Sequence, residues 1–395
     1  MHGSALEPVF ETVVKRTARQ LHTPAGELEL ALDEGVVRTT AAETPLCEAE
    51  LELKSGSPAS LLEAAAKLFG DEQVRLADRS KADRGYDLAT GRAEDALLPT
   101  RAQKVVLSES ATCREALAAM MQSATQQIFA NRPVVLETDD PAGAHQLRIG
   151  LRRLRSALWA FRPFLNTPGS RDMDAHARDL ARVVGELRDA DVFIEDMYGQ
   201  AAGVMDGHPG LHPLKEALSA HRLQKRDAAR AALQGQHWSA LQIYLALLPR
   251  SIEEVKSLNR PVAKFASKAL FAAWKKAAKK GERIGSLKGE ERHKMRKLLK
   301  KLRYIVEFFG SLYPHADVKP FVMQLKKLQD VFGYVNDVVT ASQLEGISDE
   351  HCREDRECQR ATGFVIGWHV SQAATCWAGA EKDWKNLDKS RRFWE

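Results

Sequence analysis

The sequence predicts an α+β chain: a short antiparallel β domain, then an all-α domain of two pseudo-repeated four-helix bundles. Three observations carry this. Period-two alternation occurs only ahead of Ser57, most plainly in Leu46–Lys54, LCEAELELK. From Lys104 onward apolar residues recur at three- and four-residue spacings, with no strand signal. Finally, the stretch HQLRIGLRRLRSALWAF from His145 returns as HKMRKLLKKLRYIVEFF from His293, 148 residues on. The predicted layout is a β domain over 1–95, a linker over 96–103, and helical repeats over 104–248 and 249–395.

In the β part, Val9–Leu21 and Gly26–Leu32 read as strands. Asp33-Glu34-Gly35 reads as a turn, with Val36–Thr40 returning as the second arm of a hairpin. Leu46–Lys54 sets Glu48, Glu50, Glu52 and Lys54 on one face. Ser57-Pro58 then opens a helix over Ala59–Phe69.

The first repeat predicts a helix over Cys113–Asn131 and a second that starts after Asp139-Asp140-Pro141 and ends near Pro168-Gly169. Two more run over Arg171–Met197 and Pro213–Leu233. The second repeat predicts Pro249–Lys280, Glu290–Leu312, Val318–Ser342 and Arg353–Trp384.

Wound as helices, the two matched stretches each carry an apolar stripe and a cationic one. Leu147, Leu151, Leu154, Leu158 and Phe161 share a face, and His145, Arg148, Arg152 and Arg155 fall within an arc of roughly 80° beside it. Met295, Leu299, Leu302, Val306 and Phe309 answer the first set, and His293, Arg296, Lys300 and Arg303 the second. Arg153 and Lys301 add a cation to each. The offset also links Leu180, Val183, Gly185 and Asp189 to Leu328, Val331, Gly333 and Asp337, and His221 to His369.

Rungs three or four residues apart lie about 4.5–6 Å apart along a helix, close to the repeat of a phosphate chain. Arginine grips phosphate with a two-point fork, lysine supplies a mobile charge, and a protonated histidine donates as well. No aromatic residue alternates with these cations, which disfavours nucleic acid. Asp189 and Asp337 read as caps or as salt-bridge partners of a ladder arginine. The run from Lys275 to Lys288 reads as a solvated helix end.

Charge is divided unevenly. Residues 1–103 hold 12 Lys/Arg against 18 Asp/Glu, a net of −6, and residues 104–395 hold 46 against 35, a net of +11. The basic part contains the repeat, which points to a polyanionic partner. The five cysteines make no Cys-x-x-Cys pair, and their odd number argues against a disulfide framework. A reduced, cytoplasmic setting is expected, with no membrane span.

The helical part resembles a CHAD domain over Lys104 to Trp384. The likeness rests on H-x-x-R-x-x-x-R-R-x-R from His145, H-x-x-R-x-x-x-K-K-x-R from His293, and the G-x-x-(R/N)-D turns Gly185–Asp189 and Gly333–Asp337. It implies two pseudo-symmetric bundles around a basic pore that binds inorganic polyphosphate and associates with polyphosphate granules, without a cofactor. His145, Arg148, Arg152, Arg153, Arg155, His293, Arg296, Lys300, Lys301 and Arg303 would make the contacts.

CEAELELKSG and, further on, SKADRGYDL (Ser80–Leu88) resemble the C-terminal half of a CYTH domain, a β-tunnel that handles triphosphates with Mg²⁺ or Mn²⁺. The resemblance places Glu50 and Glu52 at the metal, and Lys15, Arg16, Lys54, Lys81 and Arg84 at phosphate oxygens. The family's opening Glu-x-Glu-x-Lys strand has no match ahead of Phe10, and Glu27-Leu28-Glu29-Leu30-Ala31 lacks the lysine. The expectation is a partial tunnel, inactive as given. Polyphosphate binding is thus the leading function, metal-dependent triphosphate hydrolysis the alternative and nucleic-acid binding the second alternative.

Overall fold

The computed structural model describes residues 8–57, 59–69, 74, 77, 80–91, 97–165, 167–253 and 255–395. Strands β1 (Glu11–Thr23), β2 (Gly26–Arg38) and β3 (Glu43–Gly56) precede helices α1 (Ala59–Phe69) and α2 (Lys81–Thr90). Then come α3 (Cys113–Glu137), α4 (Pro141–Ala160), α5 (Pro168–Val192), α6 (Gly199–Ala202), α7 (Leu211–Gln234) and α8 (Gln236–Glu253). The remainder is α9 (Val262–Gly281), α10 (Gly289–Phe309), α11 (His315–Thr340), α12 (Gln343–His351), α13 (Arg356–Ala378) and α14 (Ala380–Lys389). The chain divides into two compact units: Met1–Leu98 with Gln234–Glu254, and Pro99–Leu233 with Val255–Glu395.

In the first unit the sheet runs β1-β2-β3, antiparallel throughout. β2 is unbroken, so the turn expected at Asp33-Glu34-Gly35 does not form. Those residues have turn composition for other reasons. Gly35 lies opposite Val14, where a Cβ would collide with the Val13 carbonyl oxygen, and Asp33 is a fully buried ion-pair partner. The chain reverses instead beside Thr23 and Thr39, whose hydroxyls accept the amides of Gly26 and Ala42.

One sheet face packs Leu21, Leu28, Leu51 and Leu53 against Leu61 of α1 and Leu247 of α8. Helix α8 therefore belongs to this unit, although the sequence assigns residues 234–248 to the first helical repeat. The helix expected from Pro249 does not start there either: Pro249 lies inside α8, and α9 begins at Val262. Pro58, expected to open α1, and linker residues 92–96 lie outside the described residues.

In the second unit the capping residues act where the sequence puts them. Asp140 accepts the Ala142 amide and Pro141 opens α4, while Thr112 and Glu115 form a capping box on α3. Helix α3 runs past its expected end at Asn131 through Pro133, because Val134 and Val135 are buried and anchor the extra turn. Helix α4 ends at Ala160, before Pro168-Gly169, and Pro168 opens α5.

Leu147, Leu151, Leu154 and Phe161 are fully buried, as are Met295, Leu299, Leu302 and Phe309. Each such side chain contributes roughly 1.5–3 kcal/mol, which fixes how α4 and α10 rotate about their axes. Phe161, Phe265 and Phe309 meet where these two helices end, with ring centres 4.7–6.3 Å apart. Helix α10 starts 148 residues after α4.

Against expectation, Cys352 and Cys358 are joined by a disulfide between α12 and α13. Their separation of six residues across a helix break escapes motif reading. Among the described residues no helix is long and apolar enough to cross a membrane.

Candidate functional site

With their leucines buried against the same core, α4 and α10 turn their cationic stripes toward each other. Arg148 pairs with Asp189 at 2.8 Å and Arg296 with Asp337 at 3.5 Å. The two aspartates thus serve the ladder arginines, but from within α5 and α11, where turns were expected. Gly185 makes room for this: Arg148 donates to its carbonyl oxygen at 3.2 Å, and a Cβ there would press on the guanidinium.

Arg152 and Lys300 lie deeper and, among the described residues, have no carboxylate within ion-pair distance. Burial and then repulsion from Arg152, Arg296 and Arg148 push Lys300 down to about 6. Burial and Arg148 push Arg152 down to about 10. Cations from both halves of the unit therefore share one poorly hydrated place. The Nε atoms of Arg148 and Arg296 are buried there without a partner.

The histidines differ. His293 Nδ1 lies 3.0 Å from Asn336 Oδ1. Burial, Arg188, Arg148, Arg152 and Lys300 all hold the His145 imidazole below its usual range. Arg188 is missing from the sequence-based candidates, yet it occupies the variable position of the G-x-x-(R/N)-D pattern, as Asn336 does in the second. Tyr304 is a second omission: burial raises its phenol, and it lies close enough to Arg152 to act on it.

Four candidates stand apart from this centre. Arg153 is buried, pairs with Glu307 at 3.2 Å, donates to Ser123 at 3.2 Å and covers the Phe308 ring at 5.1 Å. It holds α4 to α10 and is not available to a ligand, because its adjacent position turns it about 100° from Arg152. Arg155 pairs with Asp174 at 2.8 Å and Arg303 with Glu307 at 2.7 Å. Lys301 lies over the Trp159 ring at 3.6 Å.

In the β unit, alternation places Arg16, Asp33, Glu48 and Glu50 on the sheet face opposite the leucines, toward α2. Arg16 bonds Asp33 and Glu50 at 2.7 Å each. Lys81 reaches Glu50 at 2.8 Å and Asp33 and Glu48 at 2.9 Å, and Arg84 takes Glu48. Hydrogen bonds from Arg16 and Lys81 hold the Asp33 carboxyl well below the carboxylate range. Lys15, next to Arg16 along the strand, falls on the opposite face and cannot join this cluster. Lys54 pairs with Glu52 at 2.9 Å, further along the charged face.

A cleft of about 400 Å³ opens beside Glu48, Glu50, Ser80 and Lys81. As arranged, these carboxylates do not fit a divalent cation. Both Glu50 oxygens are taken by cations, and no group of three or more metal-ligating side chains is poised to hold an ion among the described residues. Asp33 belongs to this face although its neighbours Glu34 and Gly35 give it turn composition, and Glu48, on the charged face expected from the alternation, pairs with Lys81 and Arg84.

The CHAD domain model matches residues 119–344, more than half of the chain. The chain belongs to the CHAD domain family. A CHAD domain from the plant Ricinus communis, known from its crystal structure, matches with a TM-score of 0.65 and 27% identity, covering 74% of this chain and 98% of that one. PptA from Streptomyces chartreusis matches with a TM-score of 0.51 over 70% of this chain and all of its own; at 14% identity it shows the fold alone. Ahead of the CHAD region, the CYTH domain model matches residues 1–86. An inorganic triphosphatase of Haemophilus influenzae is 33% identical over 88 residues, 22% of this chain. The chain spans a quarter of the length of that relative.

Proposed function

We propose that the CHAD region is an internal duplication whose two ladders bind one linear inorganic polyphosphate between α4 and α10. The observation that supports it best is the state of Arg152 and Lys300. They are basic side chains, one from α4 and one from α10, buried close enough to act on each other and, among the described residues, with no carboxylate within ion-pair distance. Such an arrangement costs stability when empty and favours a multiply charged anion, whose phosphates restore both charge balance and hydrogen bonds. Arg148 and Arg296, angled by Asp189 and Asp337, flank the pair, and His145 extends the track. A cytoplasmic setting on polyphosphate granules follows from this reading.

Titration with polyphosphate at several salt concentrations tests it. Affinity should fall linearly with salt on logarithmic axes, and Arg152→Ala/Lys300→Ala should flatten the slope by roughly one unit per lost contact. A slope and affinity equal to the parent's would sink the proposal. DNA and RNA of matched charge should bind more weakly.

The likeness of the β unit to an inorganic triphosphatase favours a second reading, triphosphate hydrolysis, which with Mg²⁺ or Mn²⁺ would require Glu48 and Glu50 to leave their pairs with Arg16, Lys81 and Arg84. Phosphate release from tripolyphosphate measures it directly.

A further inference from the structure

The 148-residue offset pairs Arg153 with Lys301 and Trp159 with Glu307. The structure brings these four together in two matched contacts across the α4–α10 interface, and the two differ in charge. In one, Arg153 and Arg303 share the carboxylate of Glu307. In the other, the position of Glu307 is held by Trp159, with Lys301 Nζ only 3.6 Å from the centre of its ring. An aromatic face attracts a cation but does not neutralise it.

The surroundings sharpen the contrast. Lys276, whose offset counterpart is Ile128, brings its Nζ to 5.2 Å from the same ring. Arg162, whose counterpart is Gly310, also acts on Lys301. Asp174 is the one carboxylate among the groups acting most strongly on Lys301, and Arg155 already holds it at 2.8 Å. Burial, Lys276, Arg155 and Arg162 leave Lys301 depressed to about 8. The repulsion on Lys300 comes from a different set, Arg152, Arg296 and Arg148.

We propose that Lys301, Lys276, Arg155 and Arg162 around Trp159 form a second anion site, separate from the central ladder, which takes a phosphate group of an oligophosphate. The bound phosphate supplies the negative charge that Glu307 supplies in the matched contact, from beside the Trp159 ring and not in its place. With Lys301 over one face of Trp159 and Lys276 close by, the site selects the phosphate and not a stacked base.

Tripolyphosphate titrated calorimetrically into the full-length Arg152→Ala/Lys300→Ala chain reads this site with the central ladder removed, and Lys301→Met tells it from any binding by the β unit. One binding event should remain. Lys301→Met should weaken it about 10- to 100-fold, the effect of one charge-assisted hydrogen bond, and Lys301→Arg should retain it. Trp159→Glu installs the carboxylate of the matched contact and should abolish binding with helix content unchanged. Absence of a residual event, or one indifferent to Lys301→Met, overturns the proposal. The central reading fails by another result, namely long-chain polyphosphate binding that ignores Arg152→Ala/Lys300→Ala.

Discussion

Replacing Lys300 by Met probes the proposed central site through its protons. With its pKa at about 6, Lys300 in the free chain is almost wholly neutral at pH 7.5. A phosphate charge about 4 Å from Nζ contributes about 4 kcal/mol at an effective dielectric near 20, equivalent to about 3 pH units. Binding therefore raises the Lys300 pKa by about 3 pH units, and the residue takes up nearly one proton at pH 7.5. Calorimetry in two phosphate-free buffers of different ionisation enthalpy reads that uptake. The Met chain should take up about one proton fewer than the parent.

Stability of the free chain carries the same signature. The folded pKa of Lys300 lies below its unfolded value, so the unfolded chain holds more protons between about pH 6 and pH 10.5. Stability rises with pH across that window, by up to about 1.4 kcal/mol per unit, and Lys300→Met removes this slope. Equal proton uptake by parent and variant, or net release by the parent, would refute the reasoning.

Polyphosphate affinity should increase as pH falls from about 8 to 6, since both His145 and Lys300 are held low in the free chain and gain protons beside phosphate. A flat affinity profile would count against their contact with the ligand. Arg153→Met should cost about 2 kcal/mol in denaturant unfolding, less than a fully buried pair because Glu307 stays partly exposed and keeps Arg303. Polyphosphate affinity should stay within about two-fold in that variant, because Arg153 faces the core. In the β unit, Asp33 has a depressed pKa, so its contribution is present above the unfolded carboxylate range and is lost as pH falls through the folded value. Asp33→Asn should remove that acid dependence, as read by the pH midpoint of the sheet's circular dichroism signal. The β unit should release little phosphate from tripolyphosphate with Mg²⁺, because both Glu50 oxygens are held by Arg16 and Lys81; robust release abolished by Glu50→Ala would contradict that ion-paired arrangement.

Sequence alone carries the architecture because it is written in local periodicity. Leu147 to Phe161 and Met295 to Phe309 share one spacing, and burying either set leaves its cations on one side of the helix. Asp140 and Pro141 begin α4 by short-range chemistry, so they too are readable. What periodicity cannot reach is which elements meet. Asp33-Glu34-Gly35 has turn composition, yet strand pairing and the ion pair with Arg16 hold it straight. Most of helix α8 falls within the first helical repeat in sequence, but Leu247 packs with Leu28 of the sheet. Arg152 and Arg153 are neighbours of equal charge, and only the packing of α4 on α10 sends one to a shared cationic centre and the other to Glu307. Charge type is a property of the residue; whether that charge is neutralised, desolvated or repelled depends on residues some 150 positions away, and packing alone brings those together.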